Sequence, residues 1–166
     1  MTAPDTRAPR VSLRRATAAD AAVAAEIIAG ALGEYGLPFE PDGRDADVAT
    51  FGAKAEHDDL VAEDLVERVA GSPRVIGVAS VGPQGAEGLA WISKVFVASS
   101  ARRRGAGRAL LEAAHAAARA RGFREVGLRT RLVFVEAIAL YEAAGYVRRE
   151  DPAVIERGDV VYYRAL

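Results

Sequence analysis

Alternation of apolar and polar positions predicts several strands along this chain. Apolar and polar side chains alternate in residues 11–15, with the two-residue period of a half-buried strand. Residues 74–81 and 88–97 are rich in β-branched and aromatic side chains, and the Gly-Pro-Gln-Gly turn at residues 82–85 predicts that they pair in antiparallel fashion. Shorter runs of the same kind predict strands at residues 125–130, 146–149 and 160–164, with a loop around Pro152 and Gly158 before the last.

A period of three to four residues predicts three helices. The first begins at a capping-box pattern at Thr17 and continues to about Tyr35, before a Gly-Leu-Pro stop. The second is rich in alanine and ends at Gly122, a C-terminal cap. Its polar stripe includes His115, which we therefore expect at the surface. The third covers residues 134–144 and ends at a glycine.

Two segments are less regular. Residues 39–57 contain proline, glycine and a short helical pattern around Val48, which indicates a mobile segment with one brief helix. Residues 60–63 fit a short strand, but the apolar positions of residues 61–69 also fit a helical period, so both assignments stay open. Strands and helices together predict a mixed α/β sheet.

Length and composition favour one domain. A chain of 166 residues can bury a substantial core without disulfides, so we expect a flexible tail at residues 1–10 and a single domain over residues 11–166. Cysteine is absent, which excludes a thiol nucleophile, a disulfide framework and a cysteine zinc site. With His57 and His115 as the only histidines, we expect no metal. No apolar run has the length of a signal peptide or membrane span, so we expect a cytoplasmic protein.

Charge is unevenly distributed, although the net charge of −1 argues against nucleic-acid binding. Residues 34–59 contain eight acidic and two basic side chains, and residues 101–149 contain eleven arginines and four glutamates. If the fold gathers each set around one part of a cleft, the basic part attracts a polyanion and the acidic part a cation. The alternative is that both sets form ordinary solvated surface.

Residues 95–111, VFVASSARRRGAGRALL, suit a phosphorylated ligand. Glycines let the backbone approach closely, and the first N–H groups of a helix have no intrahelical partner and favour an anion. Arginines add forked donors for phosphate oxygens. The segment is not a P-loop, because Arg108 and Ala109 follow Gly107, and a dinucleotide fingerprint starting at Gly105 would need Gly or Ala where Leu110 stands.

RRRGAG, residues 102–107, resembles the acyl-CoA pyrophosphate loop of the GCN5-related N-acetyltransferase (GNAT) family, Arg/Gln-x-x-Gly-x-Gly/Ala. AIALYEAAGYV, residues 137–147, is similar to that family's C-terminal helix, Ala-x-x-Leu-Tyr-x-x-x-Gly-Phe/Tyr. The resemblance covers roughly residues 74–166. It implies a GNAT-like acyl-CoA N-acyltransferase fold, in which about four helices flank a mixed, mostly antiparallel sheet with splayed central strands.

The resemblance also implies an activity. Acetyl-CoA would be the cosubstrate, no metal would take part, and the acetyl group would pass directly, in a ternary complex, to a primary amine of a small molecule or peptide. A homodimer is a further expectation from the family. The acidic bias of residues 34–59 favours a cationic acceptor.

The resemblance implies roles for particular residues. Backbone groups of Val95, Phe96 and Val97 would pair with the pantetheine arm, and a backbone N–H at a bulge near Phe96 would bind the oxyanion. Tyr141 would protonate the leaving thiolate. Glu34 is the best of several candidates for the base that deprotonates the amine. The pyrophosphate would be held by Arg102, Arg103, Arg104, Gly105, Ala106, Gly107 and Arg108.

The chain departs from the family pattern at two positions. Ser99 stands where a proline commonly follows the strand, and residues 134–137 lack the asparagine that often binds pantetheine. Two other functions stay open. One is an acyl-CoA-binding module without turnover, and the other is a binder of nucleotide phosphates such as ATP or NAD.

Overall fold

One seven-stranded sheet runs through the protein in the computed structural model, which describes residues 10–151 and 159–166. The strands are β1 (Val11–Arg15), β2 (Asp58–Val69), β3 (Ser72–Pro83), β4 (Leu89–Val97), β5 (Glu125–Arg131), β6 (Val147–Arg149) and β7 (Asp159–Ala165). Their order in the sheet is β1-β2-β3-β4-β5-β7-β6. In the described part of the chain, β4 and β5 pair in parallel and the other neighbours pair in antiparallel fashion.

Helices cover both faces of the sheet and create two separate cores. α1 (Ala21–Gly33) packs on the face to which Val61, Val78 and Phe96 point, and we name this the α1 face. α2 (Ala106–Ala120) and α3 (Val135–Ala143) pack on the opposite side, which we name the α2 face. Its buried side chains include Leu60, Ile76, Ile92, Leu110, Leu128 and Tyr141. Short 3-10 helices lie at Ala18–Asp20, Ala46–Thr50 and Ser99–Ala101.

The structure confirms the predicted mixed sheet and settles the open assignment for residues 60–63. They belong to β2, a twelve-residue strand, and the helical alternative is wrong. Leu60 and Ala62 point to the α2 face while Val61 points to the α1 face, so the side chains follow the two-residue period of a strand buried on both sides. A strand of this kind has apolar residues at successive positions, which is why alternation did not identify it.

Two further local predictions are confirmed, and two fall on residues outside the described part of the chain. The capping box is present, with the Thr17 N–H donating to Asp20 Oδ2 over 2.7 Å. The brief helix in residues 39–57 is the 3-10 helix around Val48. The tail, apart from Arg10, and the loop around Pro152 and Gly158 lie outside the described residues.

The surface placement of His115 is wrong, because only 3% of the residue is exposed. His115 lies on the buried side of α2, where Nε2 is 2.7 Å from Tyr146 Oη and Nδ1 is 2.7 Å from Arg164 Nη1. The helical period placed the residue on the polar stripe, but a buried histidine is stable when its ring nitrogens have partners. Both partners come from later segments of the chain.

Candidate functional site

The central strands separate partway along their length. β4 and β5 pair from Leu89 to Ile92, opposite Glu125 to Leu128, and both continue beyond that point without pairing to each other. A cavity of about 740 Å³ occupies the opening, a size typical of small-ligand sites. Its walls come from both faces of the sheet, and Val95, Phe96 and Val97 of β4 are among them.

A bulge in β4 shapes one wall of this cavity. The pairing of β3 with β4 shifts register between Val78 and Ser80, so that Lys94 and Val95 together lie opposite Ala79. Lys94 has a φ of 56°, a left-handed conformation that few non-glycine residues adopt. The bulge directly precedes Phe96, near which the family resemblance implied one. Because a bulge interrupts the ladder, its backbone groups are available to a ligand.

The arginine-rich loop leads from β4 into α2 along the cavity wall. Arg103 and Gly105 take left-handed conformations, with φ of 62° and 81°. Gly105 is the N-cap residue of α2 and supplies no side-chain cap to the first turn, so the N–H groups of that turn face no capping oxygen. The residues of this loop that line the cavity are Arg102, Arg103, Gly105, Ala106, Gly107 and Arg108.

Gly107 brings the start of α2 close to α3 and β4. A Cβ at this position would lie 3.4 Å from Leu140 Cδ2 and 3.7 Å from Val97 Cγ2. An alanine methyl would therefore just fit, whereas a longer side chain must extend into the cavity. The loop, β4 and α3 thus form one packed wall.

Arg104 differs from its neighbours, because its side chain is bound away from the cavity. Its Nη1 donates to Asp64 Oδ2 over 2.8 Å, and only 1% of Asp64 is exposed. Asp64 Oδ1 accepts from the N–H groups of Val66 and Glu67. The Val66 N–H is the main cause that lowers the pKa of Asp64, so the carboxylate is ionised and connects the loop to β2.

Arg102 and Glu34 form a bidentate ion pair at the edge of the cavity. Arg102 Nη1 and Nη2 donate to the two carboxylate oxygens of Glu34 over 2.5 and 3.1 Å. The structure thus brings together the first arginine of the loop and the predicted base. Leu32 and Tyr35, on either side of Glu34 in sequence, line the cavity, so the carboxylate is near the opening but is already occupied by a guanidinium.

Tyr141 lies on α3 and lines the cavity from the α2 face. It is 5% exposed, and burial raises the pKa of its phenol. Its ring packs edge-on against Tyr146, with the centroids 5.9 Å apart. The phenol is therefore neutral at physiological pH and carries a proton that it can donate in a hydrogen bond.

Three buried or partly buried side chains, Arg164, His115 and Tyr146, form a row of hydrogen bonds that holds the Tyr146 ring beside Tyr141. Arg164 can only donate, so His115 Nδ1 accepts its hydrogen bond and His115 Nε2–H donates to Tyr146 Oη. Burial, and next the Arg164 charge, lower the pKa of His115 to about 4. Sequence reasoning missed these hydrogen bonds because His115 is 49 residues from Arg164 and 31 residues from Tyr146 in the sequence.

The α1 face contributes the other side of the cavity. Two edge-to-face ring contacts form an apolar part of that side. The ring centroids are 4.9 Å apart for Tyr35 and Phe134, and 6.3 Å apart for Phe96 and Phe134. Sequence reasoning missed its charged residues, although Arg129 and Arg131 show the alternate spacing of one strand face. The charged residues that line the cavity here are Arg44, Asp45, Lys94, Arg129, Arg131 and Asp159.

Comparison with known proteins agrees with this geometry. The model of the acetyltransferase (GNAT) family matches residues 32–146. The chain belongs to the GNAT family. Among curated proteins, none has a sequence that matches this chain significantly.

Solved GNAT structures share the fold. A GNAT-family acetyltransferase from Staphylococcus aureus Mu50 has a TM-score of 0.77 and 15% identity, over 94% of this chain and 99% of that one. The yncA putative acetyltransferase of Salmonella typhimurium, solved with acetyl-CoA, has a TM-score of 0.72 and 22% identity, over 95% and 94%. The paia N-acetyltransferase of Thermoplasma acidophilum, solved with coenzyme A, has a TM-score of 0.68 and 12% identity, over 94% and 99%.

Family membership makes this protein a GNAT acyltransferase, as the two sequence motifs predicted. Within residues 10–151 and 159–166, no group of three or more His, Asp or Glu side chains could hold a metal ion. In the same residues, no helix is long and apolar enough to cross a membrane.

Proposed function

We propose that this protein transfers the acetyl group of acetyl-CoA directly to a primary amine of a small molecule or peptide. The observation that carries the proposal is the opening between β4 and β5. Both the RRRGAG loop and Tyr141 of α3 line it. The opening provides strand edges for the pantetheine amides, and the loop provides a helix N-terminus for the pyrophosphate.

Cofactor binding would use mainly the backbone. Past Ile92, the edge of β4 that faces away from β3 would offer backbone groups of Val95 and Val97 to the pantetheine arm, with Phe96 between them facing β3. The uncapped first turn of α2 would then bind the pyrophosphate, with guanidinium groups at its rim. Arg104 would contribute its backbone there, since its side chain holds Asp64.

The chemistry requires three proton or charge steps. The neutral amine nitrogen attacks the thioester carbon, and a backbone N–H of the β4 bulge stabilises the oxyanion. The C–S bond then breaks, and Tyr141 donates a proton to the leaving thiolate. Glu34 is the candidate that takes the proton from the amine, directly or through water, once its pair with Arg102 opens.

Thermal stabilisation tests the cofactor. We expect acetyl-CoA and CoA, but not ATP or NAD, to raise the melting temperature of the wild type. Gly107→Glu places a carboxylate in the pyrophosphate site and should abolish that shift, whereas Gly107→Ala, whose methyl fits beside Leu140, should keep it. A shift with ATP or NAD alone would contradict the proposal and support a nucleotide-phosphate binder.

Acceptor turnover separates an enzyme from a binding module. We expect thiol release from acetyl-CoA to depend on an added primary amine. If CoA binds but no amine in a broad panel is acetylated, the non-catalytic acyl-CoA-binding module replaces this proposal.

Glu34→Gln tests the base. If Glu34 removes the amine proton, kcat should fall by about 100-fold or more and the rising limb of the pH profile should change. The matched control is Glu26→Gln, an exposed glutamate of α1 that lies outside the cavity lining. An unchanged kcat in Glu34→Gln would limit the residue to its pair with Arg102.

A further inference from the structure

We infer that the acceptor amine carries a carboxylate, and that Arg129 and Arg131 bind that carboxylate on the α1 face of the cavity. This inference rests on the proposed function and names its acceptor class. It differs from the cationic acceptor that the acidic bias of residues 34–59 favours. Three observations support it.

First, the two arginines lie on the side of the sheet opposite the cofactor elements. Val126 and Leu128 of β5 point to the α2 face, so the alternate residues Arg129 and Arg131 point to the α1 face. Both line the same cavity as Tyr141. A molecule that enters from the α1 face would meet these guanidinium groups just before its amine reached the opening between the strands.

Second, Asp159 holds both arginines without satisfying them. It pairs directly with Arg131 across β5 and β7, and its side chain is only 9% exposed. Each arginine Nε lies 3.8 Å from a carboxylate oxygen of Asp159, beyond the range of a hydrogen bond. Two positive charges around one negative charge leave a net charge of +1.

The donors of both guanidinium groups are also free. Within the described part of the chain, neither Arg129 nor Arg131 donates a side-chain hydrogen bond to another residue. The forked N–H groups of a guanidinium and the excess positive charge suit a carboxylate, which accepts two hydrogen bonds from an arginine.

Third, the acidic side chains of residues 34–59 that lie nearest to the cavity already have partners. Glu34 binds Arg102, Asp47 binds Lys94, and the Asp45 carboxylate accepts from the Glu40 N–H. They are therefore not free to attract a cation, as the sequence suggested they would. Around Arg129, Arg131 and Asp159 the net charge is positive.

Matched pairs of acceptors test the inference. We would measure kcat/KM for L-phenylalanine against L-phenylalaninamide and for L-leucine against L-leucinamide, since the Tyr35–Phe134 wall suits an apolar side chain. The amide's amine, like a peptide α-amino group, has a pKa near 8 and is more often neutral. Amine chemistry alone thus favours the amide, and we expect the enzyme to prefer the acid by at least about tenfold.

Variants connect that preference to the two arginines. Arg129→Gln and Arg131→Gln should each lower kcat/KM for the acid by about tenfold and leave the amide almost unchanged, so that the acid-to-amide ratio falls. The control is Arg148→Gln, which removes an exposed arginine on β6 that pairs with Glu150 and does not line the cavity. Stabilisation by acetyl-CoA should be the same in all three.

Each outcome decides one claim. Equal use of acid and amide, a preference for the amide, acetylation of simple amines alone, or an unchanged ratio in both glutamine variants would overturn the carboxylate site. None of these would affect the proposed transfer reaction. Loss of acetyl-CoA stabilisation in the wild type would instead contradict the proposed function itself.

Discussion

The two sides of the cavity are built by different means. The cofactor side, which comprises residues 95–108 and Tyr141, is one continuous strand-loop-helix segment plus one residue of α3. It presents backbone groups, a helix N-terminus and a buried phenol. The acceptor side, which comprises residues 44–47, Lys94, Arg129, Arg131 and Asp159, gathers charged side chains from four separate segments. A local motif can therefore specify the cofactor side, whereas the acceptor side exists only after folding.

Among the variants that test this difference between the two sides, Tyr141→Phe on the cofactor side should have the largest effect on kcat. If the phenol protonates the leaving thiolate, kcat should fall by about 10²- to 10⁴-fold, while stabilisation by acetyl-CoA stays, because phenylalanine fills the same buried volume. Tyr163→Phe is the matched control, since Tyr163 packs against Trp91 and does not line the cavity. An unchanged kcat in Tyr141→Phe would leave Tyr141 as a packing residue.

A pH titration of stability tests the buried chain behind Tyr141. The fold lowers the pKa of His115 from 6.5 to about 4, so between these values the unfolded state binds more protons and stability falls as the pH falls. From pH 7 to pH 5 this group should remove about 2 kcal/mol of the free energy of unfolding.

Urea unfolding at the two pH values measures that loss. His115→Gln, which cannot titrate, should have a flatter dependence on pH than the wild type, whatever its absolute stability. The same slope in both proteins would show that His115 is not the responsible group.

Sequence reasoning succeeded where the signal is local. The RRRGAG loop and the α3 motif each lie within a few consecutive residues, and their periods and glycines predict backbone geometry. The separation of β4 and β5 was available only through the family resemblance, because no residue pattern in either strand predicts where pairing ends.

The features of the site that the sequence did not predict depend on contacts between residues that are far apart in the chain. Asp64 lies on β2, 40 residues before Arg104, and nothing in either segment shows that they meet. The burial of His115 and the grouping of Arg129, Arg131 and Asp159 likewise depend on strand register and partners from β7. The topology of the sheet decides which side chains meet across strands, and the periodicity of a single sequence does not predict these pairs.

Asp64→Asn tests whether the cofactor side needs its anchor on β2. The asparagine oxygen can still accept from the Val66 N–H, but the charge that holds Arg104 is lost. We expect the Kd for acetyl-CoA, measured by calorimetry, to rise about tenfold, because the loop must then be ordered on binding. Glu67→Gln, which removes the partner of Arg74, is the control. Tighter binding in Asp64→Asn would mean that Arg104 is held back from the phosphates.

Asp47→Ala, on the acceptor side, should change stability and kinetics the least. The Asp47 side chain is 48% exposed, against 1% for Asp64, and an exposed ion pair contributes at most about 1 kcal/mol to stability. The melting temperature should therefore change little. Removal of the carboxylate releases Lys94 toward the cavity, so KM for a carboxylate-bearing acceptor should fall a few-fold as the local positive charge grows. A large loss of stability would show that the acceptor side is as firmly anchored as the cofactor side, and the contrast between them would fail.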